Sequence, residues 1–125
     1  MTIKVLLDTN FFLDLIRYRN DFSLFENLEE RVELFVTSEV VRELKSIANK
    51  KTKEGRLALI ALELIKNQKI RVVKSLKRNV DEDLIALARN EGFIVATNDK
   101  DLKEKLKKEN IKVICLRDKK KIEVV

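Results

Sequence analysis

The chain opens on a nearly unbroken apolar run, Ile3, Val5, Leu6 and Leu7 around a single lysine, and the run stops at Asp8. Branched residues with no glycine or proline among them predict a short strand buried on both faces. The next apolar positions, in F-F-L-D-L-I, predict a short helix starting near Phe11. Ser23-Leu24-Phe25-Glu26 then has the spacing of a capping box ahead of a second helical stretch reaching about Glu30. Strand character returns over residues 33–37, E-L-F-V-T, and Ser38 is placed to cap a helix over residues 39–48. After the basic break N-K-K-T-K at residues 49–53, Leu57, Ile60, Ala61, Leu64 and Ile65 recur at helical spacing and predict an amphipathic helix.

The second half continues the alternation. It predicts a strand over residues 70–73, a helix over 80–91, a strand F-I-V-A-T over 93–97, a charged helix over 100–109 and a strand V-I-C-L over 113–116. The closing R-D-K-K-K-I-E-V-V fits either an edge strand or a basic tail. Strand and helix in turn imply an α/β fold, a parallel sheet covered by helices on both faces with right-handed crossovers.

Composition narrows the chemistry more than the fold. A chain of 125 residues suits one domain, 1–125, that buries very roughly two-thirds of the surface of its unfolded form. Apolar residues make up 45% and charged residues 38%, proline is absent and glycine occurs twice, so a globular chain without long linkers is expected. No apolar run approaches the roughly 20 residues of a membrane span. Met1 leads directly into the first strand without a signal-peptide pattern, so no membrane partner and a cytoplasmic location are expected. Abundant Lys and Glu with few amides also fit a thermophilic source.

Histidine is missing and there is one cysteine, which removes Ser-His-Asp and Cys-His nucleophiles, a histidine base and histidine-bound zinc. Cys115, inside V-I-C-L, reads as a small core hydrophobe. Catalysis would have to use carboxylates, lysines, hydroxyls or a hard metal. The formal charge of +6, from 27 basic and 21 acidic residues, favours a polyanionic partner such as nucleic acid.

Asp8 stands at the end of a buried strand, where open parallel sheets bind ligands, although Asp8-Thr9-Asn10 would also serve as a turn and helix cap. In the helix after the second strand, steps of about 100° put Val40, Val41, Leu44, Ile47 and Ala48 on one face. Glu43 borders that face and Glu39 points further out, so Glu43 is the preferred inward acid; otherwise it is a boundary residue with a solvated head. On the helix from Val80, the stripe of Leu84, Leu87 and Ala88 places Asp81 beside its centre and Glu82 and Asp83 outside it. Asp81 would also be an ordinary acid of a first turn. Asp99, after F-I-V-A-T, is either the cap of the charged helix or, if its strand runs parallel to the first, a neighbour of Asp8. Four carboxylates in one crevice repel unless a cation is bound, and oxygen ligands suit Mg²⁺ or Mn²⁺.

With these residues in place the chain resembles the PIN-domain nucleases. The resemblance rests on the strand ending D-T-N at Asp8 to Asn10, R-E-L at Arg42 to Leu44, D-x-x-L-I-A-x-A at Asp81 to Ala88 and T-N-D-K-D-L at Thr97 to Leu102. It implies a three-layer α/β/α sandwich with a central parallel β-sheet and a metal-dependent endoribonuclease centre formed by Asp8, Glu43, Asp81 and Asp99. Asp101 is a further ligand in some members. Asn10, Ser38 and Thr97 would be supporting polar groups. RNA is the implied partner, with Mg²⁺ or Mn²⁺ as cofactor and often a homodimer.

The second half looks most like archaeal members akin to ribosomal-RNA processing endonucleases, which implies a ribosome-assembly setting. Toxin members, each with an antitoxin partner, are the alternative, and many of those carry asparagine where this chain has Asp99. Lys45, Lys50, Lys51, Lys53, Lys100 and Lys103 are candidates to track an RNA backbone. Two rival readings are a non-cleaving RNA-binding module, which the full acid set disfavours, and an aspartyl-phosphate enzyme resembling the haloacid dehalogenases. The latter expects a second aspartate where this chain has Asn10.

Overall fold

The computed structural model describes residues 2–18, 24–25, 28, 30–67 and 69–125. Six strands and five helices alternate through them: β1 (Thr2–Leu7), α1 (Thr9–Arg17), β2 (Arg31–Thr37), α2 (Ser38–Ala48), α3 (Lys53–Lys66), β3 (Arg71–Val73), α4 (Val80–Glu91), β4 (Ile94–Ala96), α5 (Lys100–Lys108), β5 (Val113–Arg117) and β6 (Lys121–Val124). The capping box expected at Ser23 and Glu26 lies outside the described residues.

The strands form one sheet in the order β3-β2-β1-β4-β5-β6. All neighbours pair in parallel except β5 and β6, so the last strand resolves the choice between edge strand and basic tail. Its hairpin turns through Asp118 and Lys119, both at positive φ. From β1 the chain steps outward to β2 and β3, then returns across β1 to add β4 on the other side. The order in which strands are added therefore reverses between the parallel neighbours β1 and β4, and the crevice beyond the carboxyl ends of two such strands is where ligands bind in open α/β sheets.

Alternation along the strands divides the core in two. Val5, Leu7, Val36, Ala96 and Ile114 face α1, α2 and α3, packing with Phe11, Phe12, Leu15, Val40, Leu44, Ala58 and Ala61. Leu6, Val95 and Val113 face α4 and α5, packing with Leu84, Leu87, Leu102 and Leu106. Each fully buried leucine or phenylalanine contributes about 1.5–3 kcal/mol of transfer free energy. The three layers expected from the alternation are thus present.

Local details depart from the sequence reading in three places. Helix α1 begins at Thr9, before Phe11. The cap of α2 is Thr37, whose hydroxyl accepts from Val40 N at 3.0 Å, while Ser38 is already inside the helix. On α3, Gly55, Ala58 and Ala61 form the buried stripe, and Ile60, expected inside, is 48% exposed. Small residues win there because α3 packs closely on α1 and α2. A Cβ on Gly55 would lie 2.1 Å from the Lys50 carbonyl oxygen.

Candidate active site

Asp8 follows the last residue of β1, and its backbone amide donates to the Ala96 carbonyl at 3.0 Å, continuing the pairing with β4. It occupies the N-cap position of α1, yet its carboxylate makes no capping bond to that helix. The carboxylate points instead at Thr97, whose hydroxyl donates to Oδ2 at 2.8 Å. Thr97 is itself fully buried, and its Oγ1 accepts from Asp99 N at 3.1 Å. One threonine therefore ties the end of β1 to the loop that carries Asp99.

Burial of Asp8 pushes its carboxyl up to about 6, against the opposing hydrogen bond from Thr97 and with added repulsion from Asp81 and Glu43. Asp81, half-buried in the first turn of α4, is also raised, first by burial and then by the charges of Asp99 and Glu43, with Lys105 opposing. Asp81 and Glu43 thus act on Asp8, and Asp99 and Glu43 on Asp81, at the carboxyl edge of the sheet. They arrive from four separate segments.

Their settings differ. Asp99 is exposed and caps α5, with Oδ1 accepting from Leu102 N at 2.9 Å, and its charge acts on Asp81. Glu43 is exposed, whereas the Glu39 side chain keeps only 15% of its exposure and lies 3.8 Å from the Arg42 guanidinium. This reverses the expected order of burial, because the start of α2 is covered by the loop after β3. Glu43 is nevertheless the one whose charge reaches Asp8 and Asp81. Asp101 is exposed in the first turn of α5, and the charges acting on Asp8 and Asp81 do not include its own. Asn10 is exposed in the first turn of α1 and joins the acids through no hydrogen bond among the described residues.

Ser38 bonds to the loop after β3 rather than to any of the four acids. Its hydroxyl accepts from Ser75 N at 2.9 Å, and Ser75 Oγ accepts from Glu39 N at 2.9 Å. This reciprocal pair fastens the start of α2 to the loop between β3 and α4.

Asp83 corrects the helical-wheel assignment. It was expected outside the stripe, yet it is fully buried. Its Oδ1 accepts from Leu76 N at 2.6 Å and Lys77 N at 3.0 Å. A wheel knows only the helix's own faces, and this side chain turns back to satisfy the loop that enters α4. The loop bonds of Asp83 and Ser75 had no signal in the sequence: D-E-D does not separate Asp83 from surface acids, and nothing in K-S-L marks Ser75.

All candidate donors are carboxylate oxygens, and Cys115 lies away from them on β5, so the chemistry suits a hard divalent cation. As they stand, no three acids among the described residues form a group that could hold an ion. Asp8 is held by Thr97, Asp99 is held as the cap of α5, and the Glu43 side chain is exposed.

A mostly parallel sheet covered by helices on both faces, whose central strand β1 runs into the buried Asp8 at the switch point, defines an α/β/α domain. The PIN-like domain family matches residues 5–119, and this chain belongs to that family. It is 35% identical over 127 aligned residues to Ribonuclease VapC4 of Methanocaldococcus jannaschii, covering 97% of this chain and 95% of that protein. Its fold is similar to that of the PIN domain endonuclease Utp24, with a TM-score of 0.79 at 24% identity over 97% of this chain and 90% of the other. No helix among the described residues is long and apolar enough to cross a membrane.

Proposed function

We propose that this protein is a divalent-metal-dependent endoribonuclease that hydrolyses phosphodiester bonds in single-stranded RNA. What supports the reading is the charge of Asp81 and Glu43 acting on the buried Asp8, and of Asp99 and Glu43 on Asp81, in a chain 35% identical to a ribonuclease. Asp8, Glu43, Asp81 and Asp99 would hold Mg²⁺ or Mn²⁺, with Asp101 a further donor at the rim. When bound, such an ion activates water and stabilises charge on the leaving oxygen.

The chain's own residues do the rest. Thr97 holds the Asp8 carboxylate in one orientation and favours its ionised form. Lys105 does the same electrostatically for Asp81. The Ser38–Ser75 pair and Asp83 fix the two helix starts from which Glu43 and Asp81 project. Repulsion among the acids is the reservoir that cation binding relieves.

The intact acid at Asp99 supports an RNA-processing role, ribosomal RNA being the expected class, over that of a toxin with an antitoxin partner. Growth arrest on expression, relieved by a neighbouring small protein, would reverse that choice. The catalytic reading is tested by titrating Mg²⁺ and Mn²⁺ against cleavage of labelled RNA by the wild type and Asp81→Asn. A rise of more than about tenfold in half-saturating metal is expected for the variant, as for loss of one charged ligand. Identical titrations would contradict the assignment of Asp81.

A further inference from the structure

Helices α4 and α5 both start at the catalytic edge and run away from it side by side, enclosing a groove of about 500 Å³. Its α4 wall carries Ile85 and Ala86, an apolar floor, and its rim carries Lys77, Lys105 and Lys108. At one end the Arg89 guanidinium donates to Glu109 at 2.6 Å and ties the two helices together, so Glu109 is already answered. That leaves Glu82 as the groove acid facing three lysines. No ion pair among the described residues engages Lys77, Lys105 or Lys108.

The groove begins beside Asp81, since its lining residue Glu82 follows Asp81 directly in the first turn of α4. From Glu82 to Arg89 it follows two turns of α4, about 10 Å at 1.5 Å per residue. That length accommodates a short run of backbone phosphates, and an apolar floor between lysines suits a ribose or base face under a charged rim.

We infer that the α4–α5 groove, through Lys77, Lys105 and Lys108, binds the phosphate backbone of single-stranded RNA on one side of the scissile bond. The inference rests on the ribonuclease reading for the identity of its ligand. The groove sets the strand's approach, and the acids do the cleaving. These lysines differ from the ones singled out in the sequence, because only the packing of α5 on α4 brings residues 77, 105 and 108 to one groove.

The test is fluorescence anisotropy of a labelled oligouridine of about 12 nucleotides, a length matched to single-strand sites, in EDTA so that binding is read without turnover. Lys77→Gln/Lys108→Gln is compared with Lys66→Gln/Lys69→Gln, an equal charge change at exposed lysines between the end of α3 and the start of β3, at the opposite, amino edge of the sheet. The groove pair is expected to weaken binding about tenfold and to reduce the salt slope by about 1.4, at about 0.7 per single-strand phosphate contact. The control pair is expected to change binding less than twofold. Equal weakening by both pairs, undiminished binding by the groove pair, or no binding by the wild type would each overturn the inference. Undiminished binding would leave the groove free for an acidic protein segment. Wild-type binding with the predicted lysine dependence but no metal-dependent cleavage would uphold the groove and remove the nuclease reading.

Discussion

The Thr97 hydroxyl donates to Oδ2 of Asp8 at 2.8 Å, joining two residues 89 positions apart across the adjacent ends of β1 and β4. That bond opposes a carboxyl otherwise driven up by burial and by neighbouring acids. Hydrogen bonds to charged groups contribute about 1.5–3 kcal/mol. Thr97→Val is therefore expected to raise the Asp8 pKa further and to lower kcat/KM near neutral pH by about tenfold or more, with the acid limb of the pH–rate profile moved to higher pH. Thr97→Ser keeps the donor and should retain most activity. If the serine and valine variants fall equally, the hydroxyl has no such role.

Asp8 also makes stability depend on pH. Its folded pKa of about 6 exceeds the ordinary 3.8, so the native state binds the extra proton between those values. Stability from this group is greatest below about pH 4 and falls as pH rises through 6. In metal-free buffer, Asp8→Asn should remove that slope and be more stable than the wild type near pH 7.5 by on the order of 2 kcal/mol. Thermal melts from about pH 4 to 8 check this. A variant that melts lower than the wild type at pH 7.5 would show that ionised Asp8 carries no strain.

Much of this arrangement was legible in the sequence. Strand runs, the limits of α4 and the parallel pairing of β1 with β4 followed from alternation and right-handed crossovers. Helix faces were harder. Asp83 is buried by a loop outside its own helix, and Glu39 is covered by Ser75, whose position depends on where β3 ends. Ile60 looked like core because the wheel counts apolar residues, yet close packing of α3 selects Gly55, Ala58 and Ala61. The lysine-rimmed groove needs two packed helices and has no signature in either one.

Asp83 accepts two loop amides while fully buried, and its Oδ2 has no hydrogen-bond partner among the described residues. Asp83→Ala would strand both amides and is expected to cost about 2–4 kcal/mol in urea denaturation. Asp83→Asn keeps an acceptor for them and should cost much less. Equal losses would mean that the charge itself, rather than the loop clamp, is what matters.

Gly55 lies inside α3, where alanine normally gains about 1 kcal/mol. Here its added Cβ would meet the Lys50 backbone oxygen at 2.1 Å. Forcing those backbones apart is expected to outweigh the propensity gain, destabilising the protein by about 1–3 kcal/mol. A rise in melting temperature for Gly55→Ala would place α3 further from the α2–α3 loop than described.

The central claim is that Asp8 anchors a carboxylate metal site that cuts RNA. Its most direct test is cleavage of end-labelled single-stranded RNA in Mn²⁺ by the wild type and Asp8→Asn, with the variant shown folded by its melt. Cleavage by the wild type that is abolished by EDTA and reduced at least about 100-fold in the variant is predicted, as for loss of a charged group acting in the transition state. Equal cleavage by the two proteins would contradict it.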